Sequence, residues 1–423
     1  MIKKEVDRLE LEKRKYIRGR FKELEVYREE VWHCNRCNMC KEVFGWYMKS
    51  AEFSDLCPSF TFNKYDTYSS QGKMHIARSL IEGDMEWEDS EELLHIIYSC
   101  DMCGACNINC LRVMENNPLE VFKALRARAV EKGLALPEHK RLFESTIKHN
   151  NLLDAPKDER LKWTEGLDFK IKTLPQESAD VLLFTGCMYP LETKVRDTLK
   201  VIAQVLKAGG VDFGFLGADE KCCGLMQLHV GEVGMFEQLA KDNINTFNEL
   251  GMKTLVTPCA HCYHCFAYEY PEVGELRFEV LHIVQYLDRL IEQGKIKMGK
   301  LPREIVTYHD PCDLGRKSGV YDTPRKILNT INGVELREME RIKDQTWCCG
   351  AGGGVLEAYP AQSIWTAEER IKEAKVTTGS DTLVTACPWC EYNFRNAVEN
   401  TGAKMKINNI TELIARALNK EGE

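Results

Sequence analysis

The sequence contains Lys221-Cys222-Cys223-Gly224 and repeats it, 126 residues later, as Trp347-Cys348-Cys349-Gly350. In each copy two thiols leave neighbouring residues, and the following glycine permits a turn that a Cβ would crowd. One further cysteine precedes each pair and a Cys-x2-Cys pair follows it, with offsets of 125 to 128 residues between the copies. The two sets are Cys187, Cys222, Cys223, Cys259 and Cys262, and Cys312, Cys348, Cys349, Cys387 and Cys390. Such an internal repeat predicts two related units, each with one metal-cluster site.

The composition is that of a globular protein with many cysteines. The chain has 423 residues, enough for two or three domains, with 44% hydrophobic and 29% charged residues. A formal net charge of -8 leaves no excess of Lys and Arg to neutralise phosphates, so no nucleic-acid partner is expected. No apolar run reaches the roughly 18 residues of a membrane span, and the start lacks the apolar core of a signal peptide. We therefore expect a reducing, cytoplasmic location, where 19 cysteines indicate metal binding rather than disulfides.

Two cysteine groups near the start are typical of ferredoxin motifs. They are Cys34-x2-Cys37-x2-Cys40 with Cys57-Pro58, and Cys100-x2-Cys103-x2-Cys106-x3-Cys110. In two-cluster ferredoxins each triplet takes its fourth ligand from the other motif. We therefore predict two [4Fe–4S] cubanes, on Cys34, Cys37, Cys40 and Cys110 (the first cubane set) and on Cys57, Cys100, Cys103 and Cys106 (the second cubane set). Zinc sites want two pairs of cysteines rather than triplets at this spacing, which disfavours zinc.

The sequence around these motifs predicts helices. The segment between them is far longer than in a small ferredoxin and carries helical patterns near 72–82 and 89–98. Residues 31–150 are therefore expected to form an α-helical ferredoxin module, with a further helix over 119–132. One departure is that Cys110 is followed by Leu111, where the ferredoxin pattern has proline.

The two flanks of this module differ from it. Residues 1–30 are rich in Lys, Arg and Glu, with apolar side chains every three to four positions. This pattern indicates an amphipathic helix that either packs on its own protein or docks onto another chain of a complex. Residues 150–178 are polar, contain two prolines, and are predicted to link the module to the next domain.

From residue 179 onward, apolar runs alternate with helical patterns. Strands are predicted at 181–184, 211–216, 254–257, 305–308 and 382–385, and helices at 193–208 and 234–250. The predicted fold class is therefore α+β and multidomain: the ferredoxin module, then two pseudo-symmetric α/β domains over 179–300 and 301–423 with largely parallel sheets. Ligands of such sheets gather beyond the carboxyl ends of the strands, so the two five-cysteine sets should lie near a shared face.

Three histidines lie close to these cysteines. His261 and His264 flank Cys262, and His309 lies three residues before a cysteine of the second set. Each is a candidate acid or base near a cluster, although a histidine is more often structural. Cys265 falls outside both repeats and is predicted to be a buried thiol.

The glycine run Gly350-Ala351-Gly352-Gly353-Gly354 superficially looks like a nucleotide-binding loop. It follows a Cys-Cys pair rather than a strand, and it lacks the Lys-Ser/Thr of a phosphate loop. We interpret it as a place where the backbone closely approaches a cluster. No other dinucleotide fingerprint is present, so a flavin or nicotinamide would have to come from a partner.

The pattern Cys, Cys-Cys-Gly, Cys-x2-Cys, taken twice after two ferredoxin motifs, resembles the D-type catalytic polypeptide of heterodisulfide reductase with its CCG domains. The wider group includes iron–sulfur proteins of glycolate, lactate and glycerol-3-phosphate oxidation, a sulfite-reduction membrane complex, and the D subunit of class II benzoyl-CoA reductase complexes. The resemblance implies two noncubane [4Fe–4S] clusters that face each other across a substrate disulfide. They would be held by the five cysteines from Cys187 to Cys262 (the first CCG set) and the five from Cys312 to Cys390 (the second CCG set).

This resemblance implies an iron–sulfur oxidoreductase that passes electrons through two cubanes to two noncubane clusters for disulfide/thiol chemistry. Its candidate catalytic residues are Cys222, Cys223, Cys348, Cys349, His261, His264 and His309. The alternative is an electron relay in a larger complex, of the aromatic acyl-CoA reductase type or linking a flavoprotein to a quinone. Both predict a hetero-oligomer with a partner carrying flavin or haem, or with a ferredoxin. A membrane cytochrome partner would hold the chain at the inner face of the membrane. A third interpretation, a zinc-stabilised scaffold, predicts a colourless protein.

Overall fold

The computed structural model describes residues 23–87, 90–110 and 117–418. The amphipathic helix predicted over residues 1–30 falls mostly outside this part of the chain, as does Leu111. Within it, a 3-10 turn over Leu24–Tyr27 leads directly into helix α1, Arg28–His33. The helical pattern predicted near 89–98 is observed as a helix over Glu91–Tyr98.

The N-terminal module is built from helices, as the sequence predicts. Their bounds are α1 Arg28–His33, α2 Pro58–Asn63, α3 Ser70–Glu82, α4 Glu91–Tyr98, α5 Ala105–Asn109, α6 Pro118–Glu131 and α7 Pro137–His149. Helices α2, α6 and α7 begin with proline, whose fixed φ suits a position where no amide hydrogen bond is needed. Helices α3 and α6 contribute Met74 and Phe122 to a core of the module's own. Before residue 172, the described β pairing is limited to one antiparallel bridge between Glu42 and Asp55.

Two parallel sheets carry the rest of the chain. The first contains β1 Lys172–Thr173, β2 Val181–Leu183, β3 Phe213–Phe215, β4 Thr254–Thr257 and β5 Glu279–His282, in the order β1-β3-β2-β4-β5. The second contains β6 Glu304–Tyr308, β7 Val334–Leu336, β8 Thr382–Thr385 and β9 Lys406–Asn409, in the order β7-β6-β8-β9. The described strand pairs are all parallel, with Leu182 opposite Leu255 and Thr307 opposite Leu383. The predicted pair of α/β units with parallel sheets is thus confirmed.

Helices alternate with these strands, as crossovers between parallel strands require. Their bounds are α8 Met188–Leu191, α9 Arg196–Ala208, α10 Leu225–Val230, α11 Val233–Glu249, α12 Ala260–His264, α13 Ile283–Glu292, α14 Asp322–Thr330, α15 Val355–Ala358, α16 Pro360–Thr378, α17 Pro388–Thr401 and α18 Ile410–Leu418. Further 3-10 turns lie at Met39–Lys41, Asp66–Tyr68, Lys157–Thr164, Gly217–Asp219, Tyr270–Glu272 and Lys343–Gln345, and Cys265–Glu269 forms a π-helical turn. One cluster of buried apolar side chains runs through both units, so the two sheets share a core.

The segment 150–178 is not the linker that its polar composition predicts. Trp163 is fully buried and packs edge-on against Phe215, with ring centroids 5.5 Å apart. Arg160 is buried as well, and strand β1 pairs with β3 at the edge of the first sheet. One tryptophan and a two-residue strand give too short a hydrophobic pattern to predict burial within a polar stretch. The segment is an integral part of the first α/β unit.

Arg126 ties the N-terminal module to both α/β units. Its fully buried guanidinium donates to the carbonyl oxygens of Cys100 at 2.7 Å, His229 at 2.9 Å and Gly353 at 2.7 Å. These carbonyls belong to the ferredoxin module, the first unit and the second unit, respectively. Because a buried guanidinium must satisfy its five donors, one side chain fixes three segments of backbone relative to one another.

The steric test of this junction is Gly231, which has a φ of +100° and packs against the backbone of α6. A Cβ at this position would lie 2.3 Å from the carbonyl oxygen of Arg126. We predict that Gly231→Ala lowers the free energy of unfolding by about 3 kcal/mol, from backbone strain and steric overlap together. Denaturant or thermal unfolding measures this loss.

Gly251→Ala is the matched control. Gly251 also has a positive φ, +64°, but a Cβ there would meet no atom within 4 Å. This variant should lose about 1 kcal/mol, from backbone strain alone. Equal losses in the two variants would contradict the tight packing of the modules at Gly231.

Candidate iron–sulfur sites

The first cubane set surrounds one cavity at the molecular surface. Cys34, Cys37 and Cys40 come from the loop after α1, Cys110 follows α5, and all four line the cavity. Two residues between the loop cysteines have left-handed φ, which turns the backbone around the cavity. Burial raises the pKa of the Cys40 thiol to about 11, and the nearby Cys34 and Cys110 thiols add to the shift. Cys37 is the one exposed cysteine of the described chain.

The second cubane set lies beside the first and deeper in the protein. Cys57 precedes helix α2, and the other three cysteines lie around the start of α5. Burial raises the pKa of the Cys57 and Cys100 thiols, and the neighbouring Cys103 thiol raises both further. Burial also raises the pKa of Cys106, and both Cys100 and Cys40 of the first set add to that shift. The cysteines that were assigned to one cubane set from their spacing therefore lie together in the structure. The two cubane sets lie side by side.

The first CCG set converges at the carboxyl ends of the first sheet's strands. Cys187 follows β2, Cys222 and Cys223 follow β3, Cys259 follows β4, and Cys262 lies in α12. All five are buried. Their thiols form hydrogen-bonding contacts that pair Cys187 with Cys222, Cys223 with Cys262, and Cys262 with Cys259. Three segments that are distant in sequence thus meet through sulfur.

The second CCG set repeats this arrangement at the second sheet. Cys312 follows β6, Cys348 and Cys349 follow β7, Cys387 follows β8, and Cys390 lies in α17. The sulfur contacts pair Cys312 with Cys348, Cys349 with Cys390, and Cys390 with Cys387. These are the same three pairs as in the first set, so the pseudo-symmetry extends to individual thiol contacts.

The glycine after each Cys-Cys pair is required by the backbone. Gly224 and Gly350 have φ of 88° and 85°. Their amides donate to the sulfurs of Cys222 at 3.5 Å and Cys348 at 3.4 Å. A Cβ on Gly350 would lie 2.4 Å from the carbonyl oxygen of Ser363. The turn that the sequence predicts is therefore present in both copies, and it directs an N–H toward a candidate ligand.

Contacts between the sets arrange all four in a row. The thiol of Cys103, in the second cubane set, contacts the thiol of Cys348, in the second CCG set. The thiol of Cys387 contacts that of Cys259, which joins the two CCG sets. The order is first cubane set, second cubane set, second CCG set, first CCG set. Cysteine spacing gives no signal for this order, because it depends on how the modules pack.

Two buried cations that the sequence analysis does not single out lie beside the CCG sets. Arg160 Nη2 is 3.6 Å from Cys187 Sγ. Lys317 Nζ is 2.7 Å from Asp313 Oδ1. Burial alone would lower the pKa of Lys317, but Asp313 and the nearby Cys312 thiol raise it overall. Positive charge near a thiol stabilises its thiolate form, so both cations favour metal-binding thiolates.

His261 lies at a small cavity that is lined by four cysteines of the second CCG set. The cavity, of about 20 Å³, is lined by Met226, Ala260, His261, Pro311, Cys312, Asp313, Cys349, Ala351, Gly352, Cys387, Trp389 and Cys390. His261 Nδ1 lies 2.7 Å from Asp313 Oδ2, while its buried Nε2 has no hydrogen-bond partner in the described structure. Burial alone would lower the pKa of His261, but the Asp313 carboxylate raises it overall.

The other two candidate histidines occupy different places. His264 Nδ1 lies 3.1 Å from Ser318 Oγ, and the ring lines a separate cavity of about 300 Å³. His309 lies inside the second CCG set, where its ring nitrogen and the Cys349 and Cys390 sulfurs lie within 4.8 Å of one another. Burial lowers the pKa of His309. Among the three, His261 alone lines the small cavity beside the second CCG set.

The chemistry of these donor sets fits iron–sulfur clusters. All the described cysteines are free thiols, and each set gathers four or five of them. Soft thiolates are the ligands that iron–sulfur clusters take, whereas a structural zinc ion takes four ligands and has no use for a fifth. Burial makes an isolated thiolate costly, so a bound metal would be needed to hold most of these sulfurs deprotonated. Cys265 is buried, as predicted, and its Sγ donates to the carbonyl oxygen of Cys223 at 3.2 Å.

Comparison with known proteins identifies the modules. The family described as a cysteine-rich domain matches residues 181–267 and 306–395, and the 4Fe-4S dicluster domain family matches residues 30–112. None of the described helices combines the length and hydropathy that spanning a membrane requires.

Relatives match over nearly the whole chain. It is 34% identical to the D subunit of the dihydromethanophenazine:CoB--CoM heterodisulfide reductase of Methanosarcina mazei, over 93% of this chain and 95% of the relative. The corresponding protein of Methanosarcina acetivorans is 33% identical, over 92% of this chain and 94% of the relative. The EtfAB:quinone oxidoreductase of Syntrophomonas wolfei is 29% identical, over 76% of this chain and 46% of that protein. The chain therefore belongs to the family of iron–sulfur oxidoreductases that contains the D subunit of heterodisulfide reductase.

Proposed function

We propose that the chain is the disulfide-reducing component of a redox complex, with a cubane on each cubane set and a noncubane [4Fe–4S] cluster on each CCG set. The observation that carries this proposal is the contact between two complete five-cysteine sets, through Cys259 and Cys387. Cleaving a disulfide takes two electrons, and clusters deliver them singly. Two adjacent sets, one of which lines a small cavity with four of its cysteines, suit that demand.

The row of thiol contacts supports a route for the electrons. The first cubane set lies at the surface, with Cys37 exposed, and is the natural point of entry. The second cubane set adjoins it and touches the second CCG set through Cys103 and Cys348. The first CCG set is then reached through Cys387 and Cys259. Each step joins neighbouring sets, so none of them has to be bypassed.

The proposed reaction converts one disulfide, two electrons and two protons into two thiols. When bound, the clusters supply single electrons and iron that accepts sulfur ligands. The protein restricts the reacting space: the cavity beside the second CCG set has a volume of about 20 Å³, which leaves little room for water. His261 borders it, and Asp313 holds the other ring nitrogen and so fixes the ring orientation. We propose His261 as the catalytic histidine on this ground, whereas His309 and His264 lack that position.

The reaction needs a reductant that this chain does not supply. We propose a partner protein that carries flavin or haem, or a ferredoxin, bound near the exposed Cys37 in a hetero-oligomer. A cytoplasmic location, or one at the inner face of the membrane through a cytochrome partner, belongs to the same proposal.

Iron content tests the proposed cluster set. Four [4Fe–4S] clusters predict about 16 iron atoms per chain in protein purified without oxygen, and a brown colour. Cys34→Ser and Cys100→Ser should each remove about four of them, because each breaks one cubane. A colourless preparation with zinc in place of iron would contradict the proposal.

Ligand replacement tests the reaction. Cys348→Ser in the native complex should lower disulfide reduction by about 100-fold or more, because even residues that only support metal ligands cost 10–100-fold. The matched control is Cys265→Ser, a buried cysteine outside the repeated sets, which should keep its iron and most of its activity. Full disulfide reduction by the Cys348→Ser complex would rule out the mechanism.

One observation favours the second candidate function, an electron relay. The cavity beside the second CCG set, at about 20 Å³, has room for about one water molecule. A relay needs no larger space, whereas a disulfide substrate requires the two units to move apart. The discriminating assay supplies electrons from a reduced viologen dye and a panel of disulfides to the purified complex. Thiol release supports disulfide reduction; clusters that are reduced and reoxidised by a quinone or flavoprotein, without thiol release, support the relay.

A further inference from the structure

Lys73 is a buried lysine without a carboxylate partner. It lies in helix α3 and is 1% exposed. Its Nζ donates to Ser59 Oγ at 3.2 Å and to the carbonyl oxygen of Tyr68, both uncharged groups. In the described part of the chain, Lys73 forms no salt bridge. A buried ammonium is expensive unless negative charge compensates it, so its position calls for an anion close by.

The groups near Lys73 that can become anionic are the thiols of the second cubane set. Ser59 Oγ lies 2.9 Å from Ser99 Oγ, and Ser99 directly precedes Cys100. Burial raises the pKa of both the Cys57 and the Cys100 thiol, and the positive charge of Lys73 opposes that rise. Ser59, which accepts its hydrogen bond, lies two residues after Cys57. If these thiols hold iron and sulfide, the cluster and its thiolates together form a buried anion beside the Lys73 ammonium. That anion would be the charged partner that Lys73 lacks.

Two further buried cations lie beside the second cubane set, and they also form no salt bridge with a described carboxylate. Arg126 donates to the carbonyl oxygen of Cys100 at 2.7 Å. Arg316 donates to the carbonyl oxygen of Cys103 at 3.1 Å. One acidic side chain, Asp101, lies among these cysteines, buried and without a hydrogen-bond partner. Even if Asp101 carries a full negative charge, the three cations Lys73, Arg126 and Arg316 outnumber it.

The first cubane set has a different environment. The residues that line its cavity, apart from the four cysteines, are His33, Asn35, Asn38, Ser70, Gln71, Met74, Asn109 and Pro118. No Lys or Arg of the described chain is among them, and Cys37 is exposed to solvent. The two cubane sets thus have matching ligands but unlike electrostatic surroundings.

We propose that Lys73, with Arg126 and Arg316, raises the reduction potential of the second cubane above that of the first and so directs electrons inward. Each added electron makes a cluster more negative, and a positive charge in the low-dielectric interior stabilises that state more than the same charge would in water. The second cubane set contacts the second CCG set through the thiols of Cys103 and Cys348. The bias therefore acts at the junction where electrons leave the ferredoxin module. This inference rests on the proposed cubane assignment.

The test is a potentiometric titration of the native complex, followed by electron paramagnetic resonance. The signal altered by Cys37→Ser is assigned to the first cubane, and the signal altered by Cys57→Ser to the second. Lys73→Gln removes the charge but can still donate to Ser59 and Tyr68. It should lower the equilibrium constant for one-electron reduction of the second cubane at least tenfold, about 59 mV, and leave the first cubane unchanged.

Two controls separate charge from packing. Lys73→Arg keeps the charge and should stay within about threefold of the native equilibrium constant. Lys49→Gln removes the charge of an exposed lysine in the same module and should change neither cubane. If Lys73→Gln loses the second cubane and Lys73→Arg retains it, the charge is needed to hold the cluster, which also supports the proposal.

Three results would overturn it: unchanged potentials in Lys73→Gln, equal shifts of both cubanes, or equal effects of the Gln and Arg variants, including equal loss of the cluster. Absence of both cubanes from the native complex is a separate outcome. It would contradict the proposed function itself. Intact cubanes whose reduction potentials do not change in the Lys73 variants would contradict only this inference.

Discussion

The cost of taking thiols out of water is the constraint on which this structure depends. All but one of the 19 cysteines fall in four sets, and burial raises the pKa of thiols such as Cys57 and Cys106. A buried thiolate is stable when positive charge, from metal or from the protein, lies beside it. The chain places Arg160 and Lys317 at the CCG sets and Lys73 at the second cubane set. These cations, as much as the cysteines, define the sites.

The same need to balance charge shapes the contact between the modules. Arg126 donates its hydrogen bonds to backbone oxygens from the ferredoxin module and both α/β units. Because these acceptors are uncharged, Arg126 brings no carboxylate next to the thiols. The junction that it fixes also brings Cys103 against Cys348. If the modules separated, the row of four sets would break at that contact. The packing between the modules therefore also determines the proposed route for electrons.

Much of the fold could be predicted from the sequence because the strands are short, apolar and followed by cysteine. Strands β4 and β8, each Thr-Leu-Val-Thr, lie at their predicted residues, and the CCG turn needed glycine as expected. The four edge strands β1, β5, β7 and β9 and the buried Trp163 were missed, because an edge strand is short and partly exposed, and burial of a few residues in a polar stretch leaves no periodicity. The order of the four sets, and the role of Lys73, could not be read from spacing, since both arise from contacts between segments far apart in the chain.

The central claim is that four thiol sets form one row, with the second cubane set between the first cubane set and the second CCG set. Anomalous diffraction at the iron edge, from crystals of the complex grown without oxygen, measures this directly. The account predicts four iron centres in that order, one at each set. Iron missing from any set, disulfides among the cysteines, or a second cubane centre remote from Cys348 would contradict it.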